Sequence, residues 1–244
     1  MVKEAVILAA GKGSRLGNKT KFMPKGFIEF DKIPIIERSI RFLLERGIEK
    51  IIIGTGHCHE YYDELAEKIP EIETRFNTRY AQCGSMGTLE ACEPYVSGNI
   101  LLLESDLLYD PRGLDLLLKN PQTDLILASG KTNSGDEVYL EVDNEHNIRK
   151  ISKNANDLSD IFAELVGITK LSRKTLSLMC AFAASQRDKI PAMEYETALY
   201  SIREQAPIKV LKEENLIWCE IDDESHLLRA ANLIYPKLKN ADII

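Results

Sequence analysis

Hydrophobic and polar positions along this chain follow two rhythms. Short, uninterrupted apolar runs recur in the first half, at Ala5–Ala9, Ile51–Ile53 and Ile100–Leu103. Apolar runs of that length read as strands buried on both faces, as in the centre of a parallel sheet. Between them the period is helical. Ile36, Ile40, Leu43 and Leu44 share one face over Ile35–Arg46, and further helices are expected over His59–Lys68 and Met86–Tyr95, with a strand over Ile72–Phe76. This β-α-β alternation predicts an α/β, Rossmann-like sheet whose ligands collect at the carboxyl ends of its strands.

After about residue 120 the rhythm changes. Asp124–Ala128, Glu137–Val142, Ile148–Ser152 and Leu165–Thr169 read as strands with little helix between them, a small antiparallel extension. Helices over Lys174–Ala184 and Tyr195–Arg203 follow, then strands Ile208–Leu211 and Ile217–Ile221 and a helix over Ser225–Ile234. With no linker, repeat or low-complexity segment, residues 1–244 are expected to form one domain. Its first part, to about residue 120, would bind nucleotide. The second, about 121–222, would bind the acceptor.

Charge narrows the function classes. The net charge of −7 argues against nucleic-acid binding, and no apolar run is long enough for membrane insertion. Five cysteines without a C-x-x-C pair suit a reduced, cytoplasmic protein. Against this acidic background Lys12, Arg15, Lys19, Lys21 and Lys25 stand close together, which favours a ligand site over a solvated face.

That cationic cluster sits on a glycine loop, Leu8-Ala9-Ala10-Gly11-Lys12-Gly13-Ser14-Arg15-Leu16-Gly17, followed by Met23-Pro24-Lys25-Gly26. Glycines let backbone N–H groups approach an anion, and the cations neutralise it. The dinucleotide fingerprint fails because Leu16 stands where its last glycine belongs, and Asn18 stands where a P-loop needs lysine. Asp106, just past the buried strand Leu101–Leu103, and Asp222, past the late strand, place carboxylates at two strand ends, a pair suited to Mg²⁺. Gln82-Cys83-Gly84-Ser85-Met86-Gly87-Thr88 is a second small-residue loop ahead of a helix, able to face a nucleobase or simply to cap that helix through Ser85. His57 and His59 flank Cys58 too tightly for a usual zinc motif.

Taken together, the motifs L-A-A-G-x-G-x-R-L, M-P-K, Q-x-x-x-x-G-T, and the final aspartates of E-S-D and E-I-D resemble the nucleotidyltransferases with the glycosyltransferase-A-like fold. The likeness runs from Val6 to about His226. It implies a mixed, mainly parallel sheet and assigns roles by position. Leu8, Ala10 and Gly11 would hold base and ribose, with Gly13 in the same loop; Gln82, Gly87 and Thr88, beside Ser85, would read the pyrimidine. Arg15 would take the leaving phosphates, Lys25 the α-phosphate, and Asp106 with Asp222 the Mg²⁺.

Within that superfamily, Lys19–Gly26, Gly54–Tyr62, Gly84–Leu89, Ser134–Tyr139 and Met193–Glu196 are most similar to the bacterial phosphocholine cytidylyltransferases and their phosphonate-specific relatives. Choline users carry Trp and Tyr in the two acceptor segments, an aromatic cage for a quaternary ammonium. Here Val138 stands at the Trp position and Glu194 near the Tyr. A primary ammonium wants carboxylate partners instead. Asp136, Glu164, Glu194 and Glu196 offer them, and Lys153 is a candidate cation for the acceptor phosphonate. The expected substrates are therefore CTP and 2-aminoethylphosphonate, with phosphocholine, phosphoethanolamine or a sugar phosphate as rivals. A nucleotide-binding module without turnover is a further alternative, disfavoured because Lys25, Asp106 and Asp222 are all present. Some members of the group are fused to a pyridoxal-phosphate aminotransferase; these residues hold no such domain, and the resemblance leaves open such a fusion in a longer protein. The oligomeric state, homo-oligomer included, stays open.

Overall fold

The computed structural model describes residues 2–241; Met1 and residues 242–244, the ends of the expected domain, lie outside the described residues. Four parallel strands carry the first half: β1 (Glu4–Ala9) pairs with β4 (Lys50–Thr55) on one edge and β6 (Ile100–Glu104) on the other, and β4 pairs with β5 (Ile72–Phe76). Between β1 and β4 come a two-residue hairpin, β2 (Glu29–Phe30) and β3 (Ile33–Pro34), and helix α1 (Ile35–Glu45). Helices α2 (Glu60–Lys68) and α3 (Ser85–Cys92) complete the crossovers.

The apolar runs are explained by burial on both faces. Val6, Leu8, Ile52 and Leu102 pack into one core layer, whereas Ala5, Ile7, Ile51, Ile53, Leu101 and Leu103 pack into the other. Successive side chains alternate faces, so a strand covered on both sides has no position left for a polar residue.

After β6 come β7 (Leu107–Tyr109), α4 (Arg112–Lys119), β8 (Leu125–Ser129), the hairpin β9 (Tyr139–Val142) and β10 (Ile148–Ser152), and the long β11 (Ala163–Leu171). Strand β11 is antiparallel to β6 through residues 168–171 and to β9 through 163–164, while β8 pairs along its other edge. The β9–β10 hairpin therefore hangs beyond the carboxyl end of β6, above the expected ligand edge. Helices α5 (Arg173–Gln186) and α6 (Tyr195–Ser201) follow, then β12 (Lys209–Glu213), parallel to β8, and β13 (Trp218–Glu220). The chain closes with α7 (Glu224–Arg229), a π-helical segment over Ala230–Ile234 and α8 (Tyr235–Asn240).

The expected mixed, mainly parallel sheet flanked by helices is present, with its antiparallel extension. Several details differ from the pattern-based expectation. Helix α3 stops at Cys92 and tightens into a 3-10 turn over Glu93–Tyr95, where Pro94 cannot continue the α-helical ladder. Strand β7 and helix α4 were not expected; three residues are too few to show a period, and α4 begins directly after Pro111. The final helix runs past Ile234 through the π segment into α8. All five cysteines are unbridged. Among the described residues no helix is long and apolar enough to cross a membrane.

Candidate active site

Strands β1 and β6 end side by side, and each empties into a loop that turns over the same edge. Beyond β1 the glycine loop enters a 3-10 turn over Ser14–Lys19. Gly13 adopts φ +61, in the left-handed region, and a Cβ there would meet Lys25 Cγ at 3.0 Å. Only glycine allows both the turn and the close passage of the lysine stem. Thr20 Oγ1 donates to the Gly13 carbonyl at 2.7 Å and closes the loop.

Lys25 then reaches the centre of the site. Its Nζ donates to Asp106 Oδ2 at 2.9 Å and to Asp222 Oδ1, and the three side chains are only 10–13% exposed. Burial alone would lower the Lys25 pKa, but Asp106 and Asp222 outweigh it and raise the ammonium above its ordinary value. Burial works the opposite way on Asp222, and Lys25 and Arg15 again prevail, holding it below the ordinary carboxylate range. Arg15 Nη2 lies 2.7 Å from Asp222 Oδ2, with the arginine 59% exposed at the mouth.

Local strand pairing brings the two aspartates together across more than a hundred residues of sequence. Strand β13 is antiparallel to β7, and the Ile221 amide donates to the Asp106 carbonyl at 3.1 Å. Both aspartates supply hard oxygen donors that already close around one cation, the lysine ammonium. That arrangement fits a divalent ion such as Mg²⁺.

The cleft around this centre has a volume of about 320 Å³. Of the residues singled out from sequence, Leu8, Ala10, Gly11, Ser85, Thr88, Arg15, Lys25, Asp106, Asp222, Asp136, Lys153, Glu194 and Glu196 line it. Four others stand elsewhere. Gly13 shapes its loop behind Lys25. Gln82 is exposed outside the cleft lining. Gly87 is buried in α3, where a Cβ would meet Cys83 Sγ at 2.5 Å. Glu164 points to the opposite side of β11 from Leu165 and Gly167, and accepts from Thr132 N at 2.8 Å and Thr132 Oγ1 at 2.7 Å. Gly13, Gly87 and Glu164 have structural duties; Glu164 fastens the loop after β8 instead of touching the cleft.

Among the cleft residues that the sequence reading did not single out are Glu104, Glu220 and Tyr195. Glu104 and Glu220 each precede a site aspartate by two positions and so share its side of the strand. Together with Asp106 their carboxylates come within 4.8 Å of one another. Burial first, then neighbouring carboxylates, pushes both well above the ordinary range. Tyr195 donates its hydroxyl to Glu104 Oε1 at 2.9 Å. The signal for the two glutamates was the period-2 alternation itself.

The segment that enters α6 is tied to α3 by reciprocal bonds. The Ser85 amide donates to Glu194 Oε2 at 2.9 Å, and the Tyr195 amide donates to Ser85 Oγ at 2.8 Å. A Cβ at Gly84 would lie 2.4 Å from the Met193 carbonyl oxygen, so the two loops touch backbone to backbone. Glu196 Oε2 is buried with no hydrogen-bond partner among the described residues, and burial, reinforced by Glu194, raises its pKa.

A family model for the MobA-like NTP transferase domain matches residues 5–206. The 2-aminoethylphosphonate cytidylyltransferase of Lancefieldella rimae is 28% identical over 182 residues, which cover 73% of this chain and 70% of that protein. The choline-phosphate cytidylyltransferase of Streptococcus pneumoniae is 41% identical over a shorter stretch of 86 residues, 35% of this chain and 37% of that protein. Among solved structures, the CTP:phosphocholine cytidylyltransferase of Streptococcus pneumoniae superposes with a TM-score of 0.76 over 99% of both chains at 23% identity, a likeness of fold.

Proposed function

The chain belongs to the MobA-like NTP transferase domain family, and on that premise we propose that it transfers CMP from CTP to 2-aminoethylphosphonate and releases pyrophosphate. The observation that carries this reading is the acidic wall beside the reactive centre. Asp136, Glu194, Glu196, Glu104 and Glu220 line one cleft with Lys153, which suits a small molecule with an ammonium at one end and an anion at the other. The indole an aromatic cage would use is elsewhere, because Trp218 is buried on β13. The resemblance to the Lancefieldella rimae enzyme, over 73% of this chain and 70% of that protein, supports the same acceptor.

An ionised phosphonate oxygen attacks the α-phosphorus in line. The new P–O bond forms as the bond from the α-phosphorus to the bridging oxygen breaks, and the electron pair leaves on pyrophosphate. The attacking oxygen carries no proton near neutral pH, so the site needs no general base. Positioning and charge neutralisation do the work. Lys25 turns from its aspartates to the α-phosphoryl group, and Arg15, already at the mouth, meets the leaving phosphates. Ala10 and Gly11 bring backbone close to the nucleotide. Asp106 and Asp222 would hold Mg²⁺, which would supply further charge neutralisation during the transfer.

A pyrophosphate-release assay tests this reading, run with CTP or UTP against 2-aminoethylphosphonate, phosphoethanolamine, phosphocholine and a sugar phosphate, with Mg²⁺ and with EDTA. CTP with 2-aminoethylphosphonate is expected to give the highest kcat/KM, by at least about tenfold over phosphocholine, and EDTA to abolish turnover. Preference for phosphocholine would overturn the carboxylate argument. No release with any pair would leave a nucleotide-binding module.

A further inference from the structure

Besides Lys25 at Oδ1 and Arg15 at Oδ2, Asp222 has a second set of neighbours. Asp136, Asp222 and His226 each present one donor atom, and the three atoms lie within 4.8 Å of one another. His226 stands in α7, and only 5% of its side chain is exposed. Its Nε2 is 3.5 Å from Asp136 Oδ1, too long for a good hydrogen bond, and its Nδ1 is buried with no partner among the described residues. An imidazole shut away from water normally has a bond at each nitrogen that burial strips of solvent. Here it faces two carboxylates and bonds to neither.

We propose that Asp136, Asp222 and His226 form a second divalent-cation site that takes a first-row transition ion of the Mn²⁺ class. The site shares Asp222 with the Asp106 pair. Two carboxylates favour a hard ion, while the imidazole favours a transition metal over Mg²⁺, which keeps to oxygen donors. Asp136 belongs to the loop ahead of β9 and lines the acceptor wall. An ion there joins that loop to α7 and adds positive charge beside the transfer centre. The site stands on these three side chains and does not depend on which acceptor the enzyme uses.

Mn²⁺ itself is the probe, added to the metal-free chain without nucleotide or acceptor and followed by pulsed electron paramagnetic resonance and titration calorimetry. Bound Mn²⁺ is expected to show ¹⁴N coupling from one imidazole, and excess Mg²⁺ should leave that coupled population in place. His226→Ala should abolish the coupling and weaken Mn²⁺ binding at least about tenfold. Asp136→Asn, in a loop outside the regular elements, should weaken binding to a similar degree with an unchanged circular-dichroism spectrum. A wild-type signal without ¹⁴N coupling would overturn the proposal, as would Mn²⁺ affinity unaltered in both variants. Because neither substrate is present, this result is separate from success or failure of the transfer assay.

Discussion

Lys25 occupies the place between Asp106 and Asp222 that suits a cation. Its removal therefore has two opposed effects. Lys25→Ala should cost on the order of 10²–10³ in kcat, the scale of losing one donor to a developing charge; a near-wild-type rate in steady-state assays would refute that role. Lys25→Met should at the same time bind Mg²⁺ more tightly than wild type without nucleotide, measured by calorimetry, because two buried carboxylates are left without their ammonium. Glu196 shows the inverse case. Burial raises its pKa, so the folded state is favoured where the carboxyl is protonated, below its ordinary value near 4.5. That advantage is lost as pH rises through the raised folded value. Glu196→Gln should thus melt higher than wild type at pH 8, by about 2–4 °C if the relief is ~1 kcal/mol, and the gain should vanish at pH 4. The KM for the acceptor should rise in the same variant. At this scale the sequence was legible where strand ends and motif spacing place a residue, as with Lys25, Asp106 and Asp222, which the structure brings into one cluster. It was not legible where facing decides. Glu164 is one residue out of step with the cleft side of β11, and a bulge near Gly167, which has φ +84, shifts the register there.

At the scale of elements, the site depends on the contact between α3 and the segment that enters α6. Ser85 and Glu194 cap each other's helices, and Gly84 lets the backbones meet. A methyl group at Gly84 must push Met193 away and open the seam between nucleotide and acceptor walls. Gly84→Ala should therefore lower the melting temperature and raise the KM for acceptor. Gly98→Ala serves as the control, since a Cβ there meets nothing within 4 Å; equal effects in the two variants would dismiss the seam. None of this was visible as local pattern. Each helix could be expected from its own period, but their meeting is set by tertiary packing. The pairing of β13 with β7 is a similar case. It joins Asp222 to Asp106 through strands of three residues each; the strand over Ile217–Ile221 was expected, but its partner β7 was too short to show a period. The long apolar strands, by contrast, announced a sheet covered on both faces because nothing polar fits there.

At the scale of the whole molecule, the chain is acidic, with a net charge of −7, yet its proposed first substrate is a polyanion. The far field repels a nucleoside triphosphate, and the glycine loop must reverse that locally. Lys12 and Lys21 are exposed on this loop, while Lys19 is engaged with Glu224 at 2.8 Å. Charges on an open surface act over about 10 Å at 0.1 M salt and little further. Their contribution therefore belongs to capture and not to chemistry. The double variant Lys12→Ala/Lys21→Ala should raise the KM for the nucleotide several-fold, roughly 2–10 times, at low salt and move kcat little. Near 0.5 M salt, where screening shortens to about 4–5 Å, the two proteins should converge. Initial rates across a salt series read this directly. A KM difference that persists at high salt would mean that one of these lysines touches the bound phosphates, and a fall in kcat would place it in the transfer step itself.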